Sequence, residues 1–136
     1  MKIKAIMLCL LIMSMGIAMA DEVSAVKVKD KFTVYRKDNY GVKHKISGST
    51  YRYNKNYYII KYRDKWVGYG YSRYLKFTFK RVGYKKFRLV TKLTDNYSGY
   101  YRHSEIVKSK YTTFDKAYKK NRKKLKKDII KIFLTN

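Results

Sequence analysis

His44 and His103 are the only imidazoles in the chain, and one of them has an acid at strand spacing. His103 and Glu105 lie two positions apart, so on a β-strand they project to the same side. A histidine beside a carboxylate supplies a base and an acid. With Arg102, Lys108 or Arg88 as phosphate clamps, the pair would suit cleavage of RNA by its own 2′-hydroxyl. An ordinary exposed His and Glu on a strand or turn is the simpler account. The rest of the chain offers catalysis little: no Gly-x-Ser-x-Gly, no phosphate-binding glycine loop, and Cys9 as the only thiol. Two histidines cannot make a three-histidine metal site and no metal-ligand spacing occurs, so no metal or cofactor is expected.

Binding chemistry is better represented. Lys116, Lys119, Lys120, Arg122, Lys123, Lys124, Lys126, Lys127 and Lys131 face only Asp115 and Asp128 in the same stretch, too one-sided for internal ion pairs to balance. Such a run is either a solvated face or a surface that follows phosphates, sulfates or carboxylates along a polymer. A second constellation interleaves rings with cations: Tyr51, Arg52, Tyr53, Tyr57, Tyr58, Tyr62, Arg63, Trp66, Tyr69, Tyr71, Arg73 and Tyr74. Alternation requires about half of these rings in the core. The others, with Tyr51, Tyr53, Trp66, Tyr69 and Tyr71 beside Arg63 and Arg73, could offer flat faces to sugars or bases and charge to their acidic groups. Tyrosine is also simply a good strand residue.

These side chains need elements to hold them. Period-two alternation predicts a strand over 26–35, interrupted near Asp30-Lys31, with a turn at Asp38-Asn39 and Gly41 and a return over 42–46. Ser47-Gly48-Ser49 reads as punctuation before a short strand at 50–53, and Asn54-Lys55-Asn56 as a turn. In 57–63, Tyr58, Ile60 and Tyr62 form the better core face. Asp64-Lys65 reads as the next turn, leading into a strand at 66–71. The clearest alternation is 74–80, with Leu75, Phe77 and Phe79 on one side. Strands over 87–93 and 100–107 follow, separated by turns at Gly83 and at Asp95-Asn96 with Ser98-Gly99. The recurrence of Asp-Asn-Tyr at 38–40 and 95–97 marks two turns of similar chemistry rather than a repeat.

From Thr113 the period becomes helical: Phe114, Tyr118, Leu125, Ile129 and Phe133 form one stripe, Thr112 or Thr113 can cap, and Asp115 suits the positive end. The expected class is therefore α+β: a mainly antiparallel sheet of about five to seven short strands, open or barrel-like, with one C-terminal amphipathic helix. The β-rich part spans 23–108 and the helix 113–134, within a single basic domain over 21–136.

Residues 1–20 read as a signal peptide. Lys2 and Lys4 lead an apolar run over 5–20, and Ala18-Met19-Ala20 is a small-x-small cleavage site before Asp21. The competing reading, a retained anchor, has a run shorter than the ~20 residues that a spanning helix needs, interrupted by Ser14 and Gly16. The expected location is secreted or extracellular, with association to the cell surface through charge. Cys9 falls in the leader, which leaves no disulfide to support a small exported domain. Burial must come from 16 tyrosines, 6 phenylalanines and Trp66, and each aromatic can remove ~150–250 Å² from water.

The net charge of +25 needs an anionic partner or solvent, although Lys- and Tyr-rich usage with no proline is also what a biased genome produces. These features point to a non-enzymatic binding protein for an anionic polymer, foremost a cell-envelope polysaccharide or other surface glycan. Nucleic acid and anionic membrane surfaces are alternative partners. The rivals are a secreted ribonuclease-like enzyme using His103 and Glu105, and a cationic membrane-active or toxin-like protein using the last helix.

Overall fold

Six runs of alternating residues pair in chain order to form one antiparallel sheet, in a computed structural model that describes residues 26–135. The strands are β1 (Lys27–Lys37), β2 (Lys43–Asn54), β3 (Tyr57–Trp66), β4 (Tyr71–Gly83), β5 (Lys86–Asp95) and β6 (Tyr100–Lys108); α1 (Phe114–Thr135) follows. The fold is thus α+β. The leader, its cleavage site and Cys9 lie outside the described residues.

Each hairpin is closed by turn chemistry present in the sequence. Asp38 Oδ1 accepts from the amides of Tyr40 and Val42 at 2.9 and 3.0 Å, and Asp95 Oδ1 accepts from those of Tyr97 and Gly99 at 2.9 and 2.8 Å. The two Asp-Asn-Tyr segments therefore build the same side-chain-to-backbone turn. The expected interruption near Asp30-Lys31 is a bulge, with Asp30 at φ 49° and the β1–β2 register shifting between Lys29 and Phe32.

Two segments of turn-forming type lie within strands instead. Ser47-Gly48-Ser49 does not punctuate: β2 runs through it, and a Cβ at Gly48 would lie 2.4 Å from the Phe32 ring and 2.9 Å from Tyr62. Glycine is there because two aromatic rings cover the strand at that point. Likewise Asp64-Lys65 continues β3, and the reversal comes later, at Gly68 and Gly70 with φ 88° and 65°. The expected strand over 66–71 is mostly this connection. The sheet also does not close into a barrel: β1 and β6 are its two edges, and α1 covers the inward side chains that a barrel would have enclosed.

The core lies between one sheet face and α1. Ile46, Tyr58, Ile60, Tyr62, Leu75 and Phe87 meet Phe114, Tyr118, Ile129 and Phe133. Phe114 is the keystone, its ring centroid 4.4 Å from Phe79, 4.8 Å from Tyr58 and 5.8 Å from Phe87. Thr113 caps α1, its Oγ1 accepting from the Lys116 amide at 3.3 Å. Asp115 fixes the same end, taking two bonds of 2.9 Å from Arg52 and one of 2.6 Å from the Tyr58 hydroxyl.

Candidate anion-binding surface

The sheet face away from α1 is built by the same alternation that fills the core, read one residue out of phase. On it, cross-strand register aligns Lys61 with Lys76, Lys76 with Lys92, and Lys92 with Arg102, four cations on four adjacent strands. Ser49 on β2 continues the row at Lys61. Lys45 opposite Lys65 and Lys80 opposite Arg88 repeat the pattern on either side. Like charges placed directly opposite in a sheet repel. None of the acids among the described residues relieves this: Asp38 is in a turn, Asp30 is in the bulge beneath α1, Asp64, Asp95 and Glu105 are on the other face, and Asp115 and Asp128 are in the helix. Burial, with Lys92 and Lys61 as neighbouring charges, lowers the pKa of Lys76 below the usual lysine range.

Flanking rows supply walls. Tyr51 and Ile59 border the cationic row on one side, and Arg63 and Tyr74 on the other. Tyr51, Arg63 and Tyr74, with Ser47, Ser49 and Thr94, line an open groove of about 410 Å³ over Lys61, Lys76 and Lys92. Lys61 lies over the Tyr51 ring at 5.0 Å, and Arg63 over the Tyr74 ring at 5.5 Å, so the rings hold cations at the groove edge. Tyr53 stacks on Tyr57 at 4.6 Å nearby, and burial raises the pKa of both hydroxyls.

The aromatic and basic residues predicted as one constellation therefore separate. Tyr51, Tyr53 and Arg63 belong to the open face. Trp66 and Tyr71 pack edge to face at 4.9 Å at one end of the sheet, with Tyr69 exposed in the loop between them. Arg73 is structural: its Nη2 donates to Asp64 Oδ2 and to the Phe133 carbonyl, both at 2.8 Å. The helix residues Lys116, Lys119, Lys120, Arg122, Lys123, Lys124 and Lys127 are exposed on the other layer. Arg122 reaches Asp30 at 3.3 Å, Lys124 reaches Asp128 at 2.8 Å, and Lys126 covers the Phe32 ring at 4.3 Å. The apolar stripe of α1 is used in the core. No helix among the described residues is long and apolar enough to cross a membrane.

His103 and Glu105 do share a side of β6, 3.5 Å apart and about half exposed. The proposed clamps do not join them, because Arg102, Lys108 and Arg88 project from the opposite face by strand alternation and register. The more ordered imidazole is one that sequence reasoning left aside. His44 is fully buried, with Nδ1 2.7 Å from Asp64 Oδ1 and Nε2 2.9 Å from Asp38 Oδ2. Asp64 also accepts from Trp66 Nε1 at 3.2 Å. This hub ties β1 through β4 to the C-terminal turn of α1, and its burial leaves no room for a substrate. Among the described residues, no group of three or more His, Cys, Asp or Glu side chains is arranged to hold a metal ion.

Missed from the sequence were Lys61, Lys76 and Lys92, and Arg102 was read only as a phosphate clamp for His103; their alignment depends on register across four strands. Their signal was the absence of acids from the polar phase of each strand. No family model matches the chain, and neither a curated protein nor a solved structure matches it.

Proposed function

We propose that this is an exported, non-enzymatic binding protein that attaches to an anionic polymer of the cell envelope or surface, foremost a polysaccharide. The observation that carries this reading is the row of Lys61, Lys76, Lys92 and Arg102 on a sheet face free of acids among the described residues. A solvated charged surface normally mixes signs, because like charges facing one another cost stability. An anionic ligand removes that cost on binding. The open-face residues Tyr51, Tyr53 and Arg63 contribute ring and hydrogen-bonding contacts, while the lysines of α1 add long-range attraction from the other layer. Export is supported by the apolar run and small-x-small site before Asp21.

The test is a binding titration of the chain against an acidic polysaccharide, single-stranded nucleic acid and anionic vesicles at rising salt. Attraction from counterion release alone falls by orders of magnitude between about 50 and 200 mM salt for six to ten contacts. Retention of the polysaccharide at the upper end, with the other two lost, is the expected result. Equal decay of all three removes the case for a specific polymer.

A further inference from the structure

We infer that the open face binds a linear polysaccharide with one acid group on every sugar, laid across the strands along Lys61, Lys76, Lys92 and Arg102. This rests on the anionic-polymer reading and narrows it to a substrate class, a direction and four named contacts. Strand spacing sets the argument. Neighbouring strands lie ~4.8 Å apart, so the row offers a positive charge about every 5 Å, close to the length of one pyranose unit in a linear chain. A glycan with an acid on alternate sugars would meet every second cation and leave the others facing each other.

The walls agree with this direction. Tyr51 on one side and Arg63 and Tyr74 on the other leave Lys61, Lys76 and Lys92 as the floor of the groove, and Arg102 continues the row beyond it on β6. Small residues, Ser47 and Ser49, line its β2 end. Lys76 is partly buried between Lys61 and Lys92, and its charge is the one most improved by an anion placed over the row. Single-stranded nucleic acid is the weaker fit. Such strands gain much of their affinity by laying bases on free ring faces, and here Tyr51 and Tyr74 each already hold a cation. The groove offers closely spaced charge more than stacking.

The test compares polygalacturonate oligomers, with a carboxylate on every sugar, with hyaluronan oligomers of equal total charge, with a carboxylate on alternate sugars; polyuridylate is the third probe. The wild-type chain is expected to bind polygalacturonate at least about tenfold more tightly than hyaluronan. Lys76→Gln with Lys92→Gln is expected to remove that ratio and to reduce the salt slope by about two, one for each lost contact. Lys119→Gln, Lys120→Gln and Lys123→Gln together are expected to weaken all three probes while keeping the ratio. A melting temperature in the double variant no lower than that of wild type separates lost contact from lost fold. Equal affinity for the two glycans, or a ratio that survives in the double variant, overturns the row assignment and leaves the anionic-polymer reading standing. Preference for polyuridylate moves the site to nucleic acid and overturns both the row assignment and the polysaccharide class. No binding of any probe at about 50 mM salt overturns the proposed function itself.

Discussion

On the face covered by α1, Asp30, Asp64 and Asp115 each engage an arginine, whereas on the open face Lys61, Lys76, Lys92 and Arg102 stand opposite one another with no acid between them. Both faces belong to the same strands and draw on the same excess of lysine and arginine. Biased composition can set how many cations a chain has. It does not sort the few acids onto one side of a sheet. The covered face uses charge as a fastening between elements, and the open face leaves it available to a ligand.

The comparison is broken most severely at the buried hub. Asp64→Ala removes an acceptor from His44, Trp66 and Arg73 at once and leaves a buried cation without its counter-ion. Breaking a buried pair in this way costs about 3–5 kcal/mol. Urea denaturation is expected to show that loss, and with Arg73 released the C-terminal turn of α1 should exchange its amides faster. A stability change below about 1 kcal/mol would show that the hub does not fasten the two layers.

Next in size is Gly48→Ala. The added methyl meets the Phe32 ring at 2.4 Å and Tyr62 at 2.9 Å, so rings or backbone must shift. Overpacking of this kind typically costs about 1–3 kcal/mol. Because the strain falls on β1 and β2, the edge hairpin is expected to lose hydrogen-exchange protection before β4 and β5. Ser47→Ala and Ser49→Ala on the open side of the same strand should leave stability nearly unchanged, which sharpens the contrast between the faces.

Acid titration separates them in another way. Arg52 first, and the Tyr58 hydroxyl with it, hold the Asp115 carboxyl at a pKa of about 2, below the ordinary 3.8 of an aspartate. A depressed folded-state pKa contributes stability that is present above the unfolded value and is lost as pH falls through the folded one. The stability difference between wild type and Arg52→Gln should therefore be full near pH 5, shrink from about pH 4, and nearly vanish below about pH 2. Thermal melts across that range measure it. A difference that stays constant to pH 2 would detach Asp115 from the linkage. The open-face cations have no acid partner to protonate, so Lys61→Gln should show no such convergence.

Much of this contrast was legible in the residues. Alternation at Leu75, Phe77 and Phe79 assigns the core side of β4, and the stripe from Phe114 to Phe133 assigns the face of α1 that covers it. Gly48 and Asp64 misled for a common reason: each has strong local turn preference, and each is held in a strand by partners distant in sequence, Phe32 and Tyr62 for one, His44 and Arg73 for the other. The candidate surface divided along the same line. Tyr51, Tyr53 and Arg63 could be grouped from sequence proximity, but so could Trp66, Tyr71 and Arg73, which the reversal at Gly68 and Gly70 carries to the end and the far side of the sheet. Register across four strands, which aligns Lys61, Lys76, Lys92 and Arg102, has no local signature.

The smallest expected effect is the most discriminating, because its sign is opposite to the others. Lys76→Thr replaces the central lysine of the row with a strand-favouring residue and removes repulsion from Lys61 and Lys92. Cross-strand pairs are worth about 0.2–1 kcal/mol, so the variant should be more stable than wild type by an amount in that range. Its melting temperature should rise by a few degrees in low salt and by less in high salt, where the repulsion is already screened. Removing a solvated lysine from an ordinary mixed-charge face would leave both values nearly unchanged. A gain that disappears when the wild-type chain is saturated with acidic polysaccharide would show the ligand relieving the same repulsion as the substitution. If Lys76→Thr instead lowers stability, the lysine stem packs in the groove more than its charge repels, and the open face is a structural surface like the covered one.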